Sequence, residues 1–469
     1  MTGTVVMPLW LFLVLAGFAA WALAERILLP GVRWWLRGRV NRVIDEVNTR
    51  LNISIRPFQL TRRQVLIDRL VYDPKVIEAM QAYAQEQNLP RAVVQAEVQK
   101  FACEIVPAFN AYVYFRVGYW LAESFARLLY RVRVGFAGQE RLGKIDPEAT
   151  VVFVMNHRSN MDYVLAAFLA AEQTALSYAV GEWARIWPLQ QLVRAMGAFF
   201  VRRNSKNPLY RRVLERYVHM ATREGVCQAV FPEGGLSRDG KLQTPRHGIL
   251  DYMLRGFEPG RGRDIVFVPV GINYDRTLED RSLVRRLDPG APRRSRWFVL
   301  RTTFGFIGRN FWLMLRNRWQ RFGYAAVSFG TPLSAREWCA ARGADPSALS
   351  AEARGKLVEQ FATELMQHVA KLVPVLPVPL VAEAVLAAPQ GLNEFDLKAV
   401  VYRRIETLQQ QGAAVIVPSR TRAFTVDTAF NMLKLRRLVV ERDSLYFPDP
   451  AAREVLEYYA NSLVAWTVR

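Results

Sequence analysis

Apolar residues change their period three times along the 469-residue chain. From Val5 to Ala24 the stretch VVMPLWLFLVLAGFAAWALA is apolar throughout, and residues 1–24 carry no charged side chain. That matches the ~20 residues a helix needs to span a bilayer. Residues 38–135 then place apolar side chains at helical spacing, as in PKVIEAMQAYAQEQ and RAVVQAEVQKFACEIVPAFNAYVYFRVGYWLAESFARLLYRV. Near residue 148 the pattern shortens. Compact β-branched runs now alternate with helical stretches: TVVFVM (150–155), ALSYAV (175–180), AFFVRR (198–203), CQAVFP (227–232), DIVFVPVGINY (264–274) and YAAVSFG (324–330). From about residue 346 the pattern is helical again. The Pro-rich stretch VPVLPVPLV (373–381) separates helices there, and LKLRRLVVERDSLYFPDP predicts a small, winged-helix-like strand pair near the end.

These patterns predict four segments: a transmembrane anchor with its basic flank (1–30), a helical N-terminal domain (31–135), an α/β core (136–345) and a mainly helical C-terminal domain (346–469). Strands alternating with helices imply a largely parallel sheet flanked by helices. Sites in such sheets form just past the carboxyl ends of strands. His157 follows the first core strand and Glu233 follows another.

Charge adds a partner class. Lys+Arg number 63 against 42 Asp+Glu, a formal net charge of +21. Such a surface favours anionic partners: nucleic acid, anionic lipid or an acidic carrier protein. Arg26, Arg33, Arg37, Arg39 and Arg42 follow the apolar stretch. A cleaved signal peptide carries its basic region before the apolar one, so an anchor is the better reading. The positive-inside rule then puts everything after Arg26 in the cytoplasm. Residues 285–322 interleave arginines with Trp297, Phe298, Phe304, Phe306, Phe311, Trp312 and Trp319, a mixture suited to an anionic lipid surface. The three cysteines, Cys103, Cys227 and Cys339, make no metal spacing or disulfide framework and agree with a reducing compartment.

The candidate chemistry lies in short blocks. In HRSNMDY, His157 and Asp162 are five residues apart. A hydroxyl needs a base within hydrogen-bond reach to act as a nucleophile, and a carboxylate on the second ring nitrogen presents imidazole in the correct tautomer. A helix beginning after residue 158 would fold Asp162 back beneath His157; a plain helix cap is the alternative for so short a pattern. In FPEGGLSRDGK, Gly234 and Gly235 let the backbone turn with its N–H groups exposed, and Arg238 and Lys241 supply cations, as a phosphate site near a carboxylate requires. The spacing is not that of a nucleotide-binding loop. MGAFFVRR places Arg202 and Arg203 at a strand end. His247 is the competing base; His219 and His368 sit in helical stretches. No metal-ligand cluster is present in the pattern, and no metal or cofactor is expected.

Taken together and in order, HRSNMDY, GAFFVRR, FPEGGLSRDGK and VPVGINY resemble the four motif blocks of the glycerolipid acyltransferase superfamily, most closely the PlsB-type glycerol-3-phosphate acyltransferases. The resemblance extends through NRWQRFGYAAVSFGTPLS and into EVLEYYANSL. It implies an α/β acyltransferase core that moves a fatty acyl chain from acyl-CoA or acyl carrier protein to glycerol 3-phosphate. It implies His157 as base and Asp162 as its orienter, with no acyl-enzyme intermediate. It implies an acceptor site drawn from Arg202, Arg203, Glu233, Gly234, Gly235, Ser237, Arg238, Lys241 and Pro269. It further implies a bacterial inner-membrane protein with its catalytic face in the cytoplasm, working on an anionic phospholipid surface and not on nucleic acid. One departure stands out. PlsB-type enzymes read Glu-Gly-Gly-Arg-Ser-Arg in the third block, and here the first arginine is Leu236. That leaves lysophosphatidic acid open as an alternative acceptor, with Arg203, Lys241 or Arg246 able to compensate. A membrane-tethered nucleic-acid-binding protein is the alternative of a different class.

Overall fold

The computed structural model describes residues 56–136, 142–170, 174–181, 189–202, 205–288, 290, 321–418 and 422–466. The predicted anchor and its flank, Arg203, and most of the basic aromatic stretch lie outside them. Among the described residues no helix is long and apolar enough to cross a membrane.

Among the described residues a short helical turn (Pro57–Leu60) is followed by α1 (Arg63–Val71), α2 (Pro74–Glu86) and α3 (Arg91–Ile105). Asp73 caps α2 by accepting from Lys75 N, and Pro74 occupies the first helical position, where no N–H is needed. A π-helical turn (Val113–Gly118) runs into α4 (Tyr119–Leu129). Residues 131–136 then depart from the helical expectation: Arg131–Phe136 is a strand, β1. Tyr130 leaves the helix in an extended conformation, and β1 pairs in parallel with β7 (Tyr324–Phe329) almost two hundred residues later. Its Arg-Val alternation is only four residues long and directly follows an arginine-bearing helix. Period alone does not separate the two.

The core continues with β2 (Thr150–Met155), α5 (Met161–Ala170), β3 (Ser177–Val180), β4 (Phe199–Phe200), α6 (Pro208–Arg223), β5 (Gln228–Val230), α7 (Gly248–Leu254), β6 (Ile265–Tyr274), β7, and β8 (Leu333–Ser334). The strand order is β1-β7-β6-β2-β5-β3-β4, with β8 beside β6. All pairings are parallel except β6–β7 and β6–β8. Alternation along β2 divides the interior. Val152 and Val154 join Phe267 and the faces of α1, α3, α6 and α7 on one side. Val151 and Met155 join Val268, Val270 and residues of α4 and α5 on the other.

After β8 come α8 (Ala351–Leu372), α9 (Pro377–Leu386), α10 (Glu394–Gln410), α11 (Arg422–Leu435), the antiparallel pair β9 (Val439–Arg442) and β10 (Leu445–Pro448), and α12 (Arg453–Ala460). The Pro-rich stretch is only partly a separator. Pro377 starts α9, because proline is tolerated where the helix's first N–H groups have no partner. α9 to α12 enclose their own apolar cluster, and Leu236 of the core packs against it.

Candidate active site

The first and third blocks lie beyond the carboxyl ends of β2 and β5, where the sheet's topology gathers loops; the second spans β4 and the fourth is the carboxyl part of β6. β2 ends at Met155 and the chain turns through Asn156. The Asn156 amide donates to the Ile272 carbonyl (2.9 Å) and accepts from Ile272 N (2.7 Å), so a side chain extends the sheet ladder for one more step. His157 follows. Its Nδ1 lies 2.8 Å from Asp162 Oδ2, and both side chains are buried. The same oxygen accepts from the backbone N–H of Arg158 (2.7 Å) and Ser159 (3.0 Å), while Oδ1 accepts from the Tyr274 hydroxyl (2.6 Å). The aspartate is thus held at four points. The cap of α5 falls to Ser159, whose hydroxyl accepts from Met161 N (3.1 Å), which leaves Asp162 for the imidazole.

A carboxylate at Nδ1 selects the tautomer with its proton there, leaving the Nε2 lone pair outward. Nε2 is buried and has no hydrogen-bond partner among the described residues. The ring is seated against Phe231 (centroids 4.3 Å apart) and edge-on to Tyr163 (5.2 Å). His157 forms one wall of a cavity of ≈ 260 Å³ whose lining also includes Val180, Arg202, Leu214, Gly234, Arg246 and Ile249. An apolar pocket with a few convergent polar groups is the ordinary form of a small-molecule site.

The residues expected to hold the acceptor separate into three groups. Arg202 and Gly234 line the cavity. Arg202 is gripped from α3: its guanidinium donates to both Glu104 oxygens (2.9 and 2.6 Å) and lies over the Phe101 and Tyr210 rings. Gly234 takes φ +67°, and a Cβ there would fall 2.8 Å from Arg246 Cδ, so the arginine crosses directly over the glycine. A second group turns inward. Glu233 is buried, and its carboxylate accepts from His157 N (2.7 Å) and Gln243 N (3.0 Å). Burial pushes its pKa up to about 7, against the opposing effect of those two bonds and of Arg158. Ser237 is buried too. Its N–H donates to the His157 carbonyl (2.9 Å) and its hydroxyl to the Lys241 carbonyl (2.7 Å). Glu233 and Ser237 therefore brace the base instead of lining the cavity.

The remainder lie outside the lining. Arg238 and Lys241 are exposed, and Gly235 is half-buried beside them. Pro269 is buried within β6, opposite Val154. Its carbonyl accepts from Gly330 N (2.8 Å) in the gap between the β7 and β8 pairings, so the donor that proline lacks is not missed there. His247, the competing base, lines no part of the cavity and precedes α7.

Sequence reasoning missed several supports. Tyr274 ends the fourth block, so its position was visible but its role was not. Glu279 accepts from the Ser159 hydroxyl (2.8 Å) and the Asn160 amide (3.0 Å), and no local pattern marks it. Arg246 was named only as a compensating cation, yet it is the one of the three alternatives that lines this cavity among the described residues.

The site is thus a buried histidine–aspartate pair on the loop after a parallel strand, facing an apolar cavity with arginines in its wall. Residues 133–273 match the family model described as acyltransferase. Residues 310–469 match that described as glycerol-3-phosphate acyltransferase C-terminal region. The curated relatives it is similar to are glycerol-3-phosphate acyltransferases. It is 28% identical over 428 residues to the glycerol-3-phosphate acyltransferase of Pseudomonas putida strain W619, covering 86% of this chain and 49% of that one. It is 32% identical over 278 residues to that of Pseudomonas putida strain KT2440, covering 58% of this chain and 32% of that one. Pseudomonas aeruginosa strain PAO1 has another at 28% identity, covering 77% and 43%. The chain spans about half the length, or less, of these curated relatives. The crystal structure of the 1-acyl-sn-glycerophosphate acyltransferase PlsC from Thermotoga maritima shares 18% identity at a TM-score of 0.31, over 54% of this chain and 78% of that one.

Proposed function

We propose that the protein transfers a fatty acyl chain from an acyl-CoA or acyl carrier protein thioester to the 1-hydroxyl of glycerol 3-phosphate. The observation that carries this reading is the unpartnered, buried Nε2 of His157 opening on an apolar cavity with Arg202 and Arg246 in its wall. Nε2 takes the proton of the acceptor hydroxyl as its oxygen attacks the thioester carbonyl. The C–O bond forms, the C–S bond breaks, and the imidazolium returns its proton to the departing thiolate. Asp162 keeps the ring aligned and balances the transient charge. Arg246 holds the acceptor's phosphate by charge-assisted hydrogen bonds, replacing the arginine that Leu236 displaces. The thioester is already activated, so the reading assigns no metal or cofactor.

The membrane is proposed as a partner on two grounds. One is the apolar stretch of residues 5–24. The other is a stripe of exposed apolar residues, Val117, Trp120, Leu121, Phe125 and Leu128, at helical spacing and flanked by exposed Arg116, Arg127, Arg131 and Arg133. Arginines around an apolar stripe suit an anionic leaflet. The basic flank at Arg26–Arg42 supports an inner-membrane location with the site facing the cytoplasm.

The test is acyl transfer by the full chain in detergent from radiolabelled palmitoyl-CoA. Glycerol 3-phosphate and 1-acylglycerol 3-phosphate are offered separately, each with a His157→Ala control. Label in lysophosphatidic acid, lost in the variant, is the expected result. Label only in the diacyl product would move the assignment to the lysolipid acceptor. Transfer to neither would overturn it.

A further inference from the structure

The residue after the base carries an unexpected load. Arg158 is 3% exposed, and a guanidinium that far from water needs partners; among the described residues both Nη atoms have them and Nε does not. Its Nη1 donates to the Gly240 carbonyl (2.9 Å) and its Nη2 to the Tyr458 carbonyl (3.3 Å). The guanidinium lies 4.9 Å over the Tyr458 ring, and the Tyr458 hydroxyl returns a hydrogen bond to the Arg158 carbonyl (3.1 Å). Tyr458 belongs to α12, 300 residues further along the chain. Its hydroxyl therefore holds the peptide that links the catalytic loop to the N–H donated to Asp162.

The same helix end grips the other loop. Gly240 takes φ +82°, and a Cβ there would overlap the Tyr458 carbonyl oxygen. Just past α12, the Asn461 amide donates to the Asp239 carbonyl (2.8 Å). Leu236, on the same turn, packs against the apolar cluster that includes Tyr458 and Tyr459. The loop bearing the base and the turn after Glu233 are thus fastened to one point in the C-terminal domain. A shift of that point moves both, and the reacting geometry tolerates only small displacements.

We propose that α12 is a latch for catalysis: Arg158 and Tyr458 are positioning residues that set where His157 Nε2 stands relative to the acceptor, and Leu236 is part of that latch. The proposal rests on His157 being the base. It explains why the tail EVLEYYANSL resembles the family although it lies far from the chemistry in sequence.

Steady-state kinetics on the full chain test it. Tyr458→Phe keeps the ring and the carbonyl and deletes the hydroxyl, with its bond to the Arg158 carbonyl and its contact with Thr277. kcat is expected to fall about tenfold, the effect of one lost hydrogen bond of roughly 1.4 kcal/mol, with the acceptor KM within twofold. Arg158→Lys, which keeps the charge but loses the fork, is expected to fall further in kcat, again with little change in KM. The control is Glu383→Gln, which breaks the Arg404–Glu383 pair (2.9 Å) inside the C-terminal domain without touching either loop. It is expected to lower Tm and leave kcat unchanged. Wild-type kcat in Tyr458→Phe would overturn the latch. So would a fall in kcat that tracks Tm equally in Tyr458→Phe and Glu383→Gln. Activity surviving in His157→Ala would instead overturn the base assignment beneath it.

Discussion

The loops after β2 and β5 are built from similar residues and use them in opposite ways. In the first, polar side chains are committed inward: Asn156 to β6, Asp162 to four donors, Ser159 and Asn160 to Glu279. Among the described residues, the groups of this loop left without a partner are His157 Nε2, on the cavity wall, and the Nε–H of Arg158. In the second, Glu233 and Ser237 serve the first loop, while Arg238 and Lys241 stand in solvent. The two buried carboxylates show the difference. Asp162 is matched by ring, backbone and phenol donors. Glu233 has two backbone donors, and burial outweighs them, raising its pKa to about 7. One loop presents a reactive atom; the other mostly holds that atom still.

The largest expected effect breaks the first loop at its exposed lone pair. His157→Ala should lower acyl transfer by about 10²–10⁴-fold in a protein that still folds, with a lowered Tm because buried Asp162 loses a partner, as followed by radiolabel transfer and thermal melting. Wild-type turnover would remove the base from the site. Next, Arg246→Ala should raise the acceptor KM by about tenfold or more, the cost of a charge-assisted bond. Lys241→Ala should leave that KM within twofold. If Lys241 is the one that matters, the exposed turn closes over the substrate and the contrast between the loops disappears. A smaller effect sharpens the first loop. Tyr274→Phe deletes one of the four donors to Asp162 and should reduce kcat roughly fivefold to tenfold, about 1 kcal/mol. An unchanged kcat would mean the remaining three donors suffice.

The smallest effect concerns Glu233 and is read as stability against pH. Its folded pKa, about 7, lies above its ordinary value of 4.5. Between those values the folded protein keeps a proton that the unfolded chain releases, so this group's contribution to stability falls as pH rises. Urea unfolding from pH 5 to pH 8 should show the wild type losing stability relative to Glu233→Gln. Parallel curves for the two would show that the carboxylate is ionised throughout.

Legibility in the sequence followed the range of the interaction. β2 and β6 are long, apolar and bounded by polar turns, and they emerged close to their predicted limits. β1 did not, because its partner β7 is remote and its face is half in water. The His157–Asp162 pair was visible because a strand end and a helix start fix both residues within one turn. Arg238 and Lys241 looked equally promising, but a glycine-rich turn does not reveal which way its side chains point. Glu279 and Tyr458 carried no local signal, since each meets the catalytic loop only through the tertiary fold.

The sequence by itself determined the alternation of strands and helices, the apolar stretch at residues 5–24, the order of the four blocks and the identity of the histidine. These depend on periods of two and 3.6 residues and on chemistry carried by neighbours. Only the tertiary structure decided that Glu233 faces the base and not the cavity, that Arg246 crosses Gly234, and that α12 reaches back 300 residues to Arg158. Those outcomes depend on which groups lose water together. Burial is a property of the assembled core, and no window along the chain contains it.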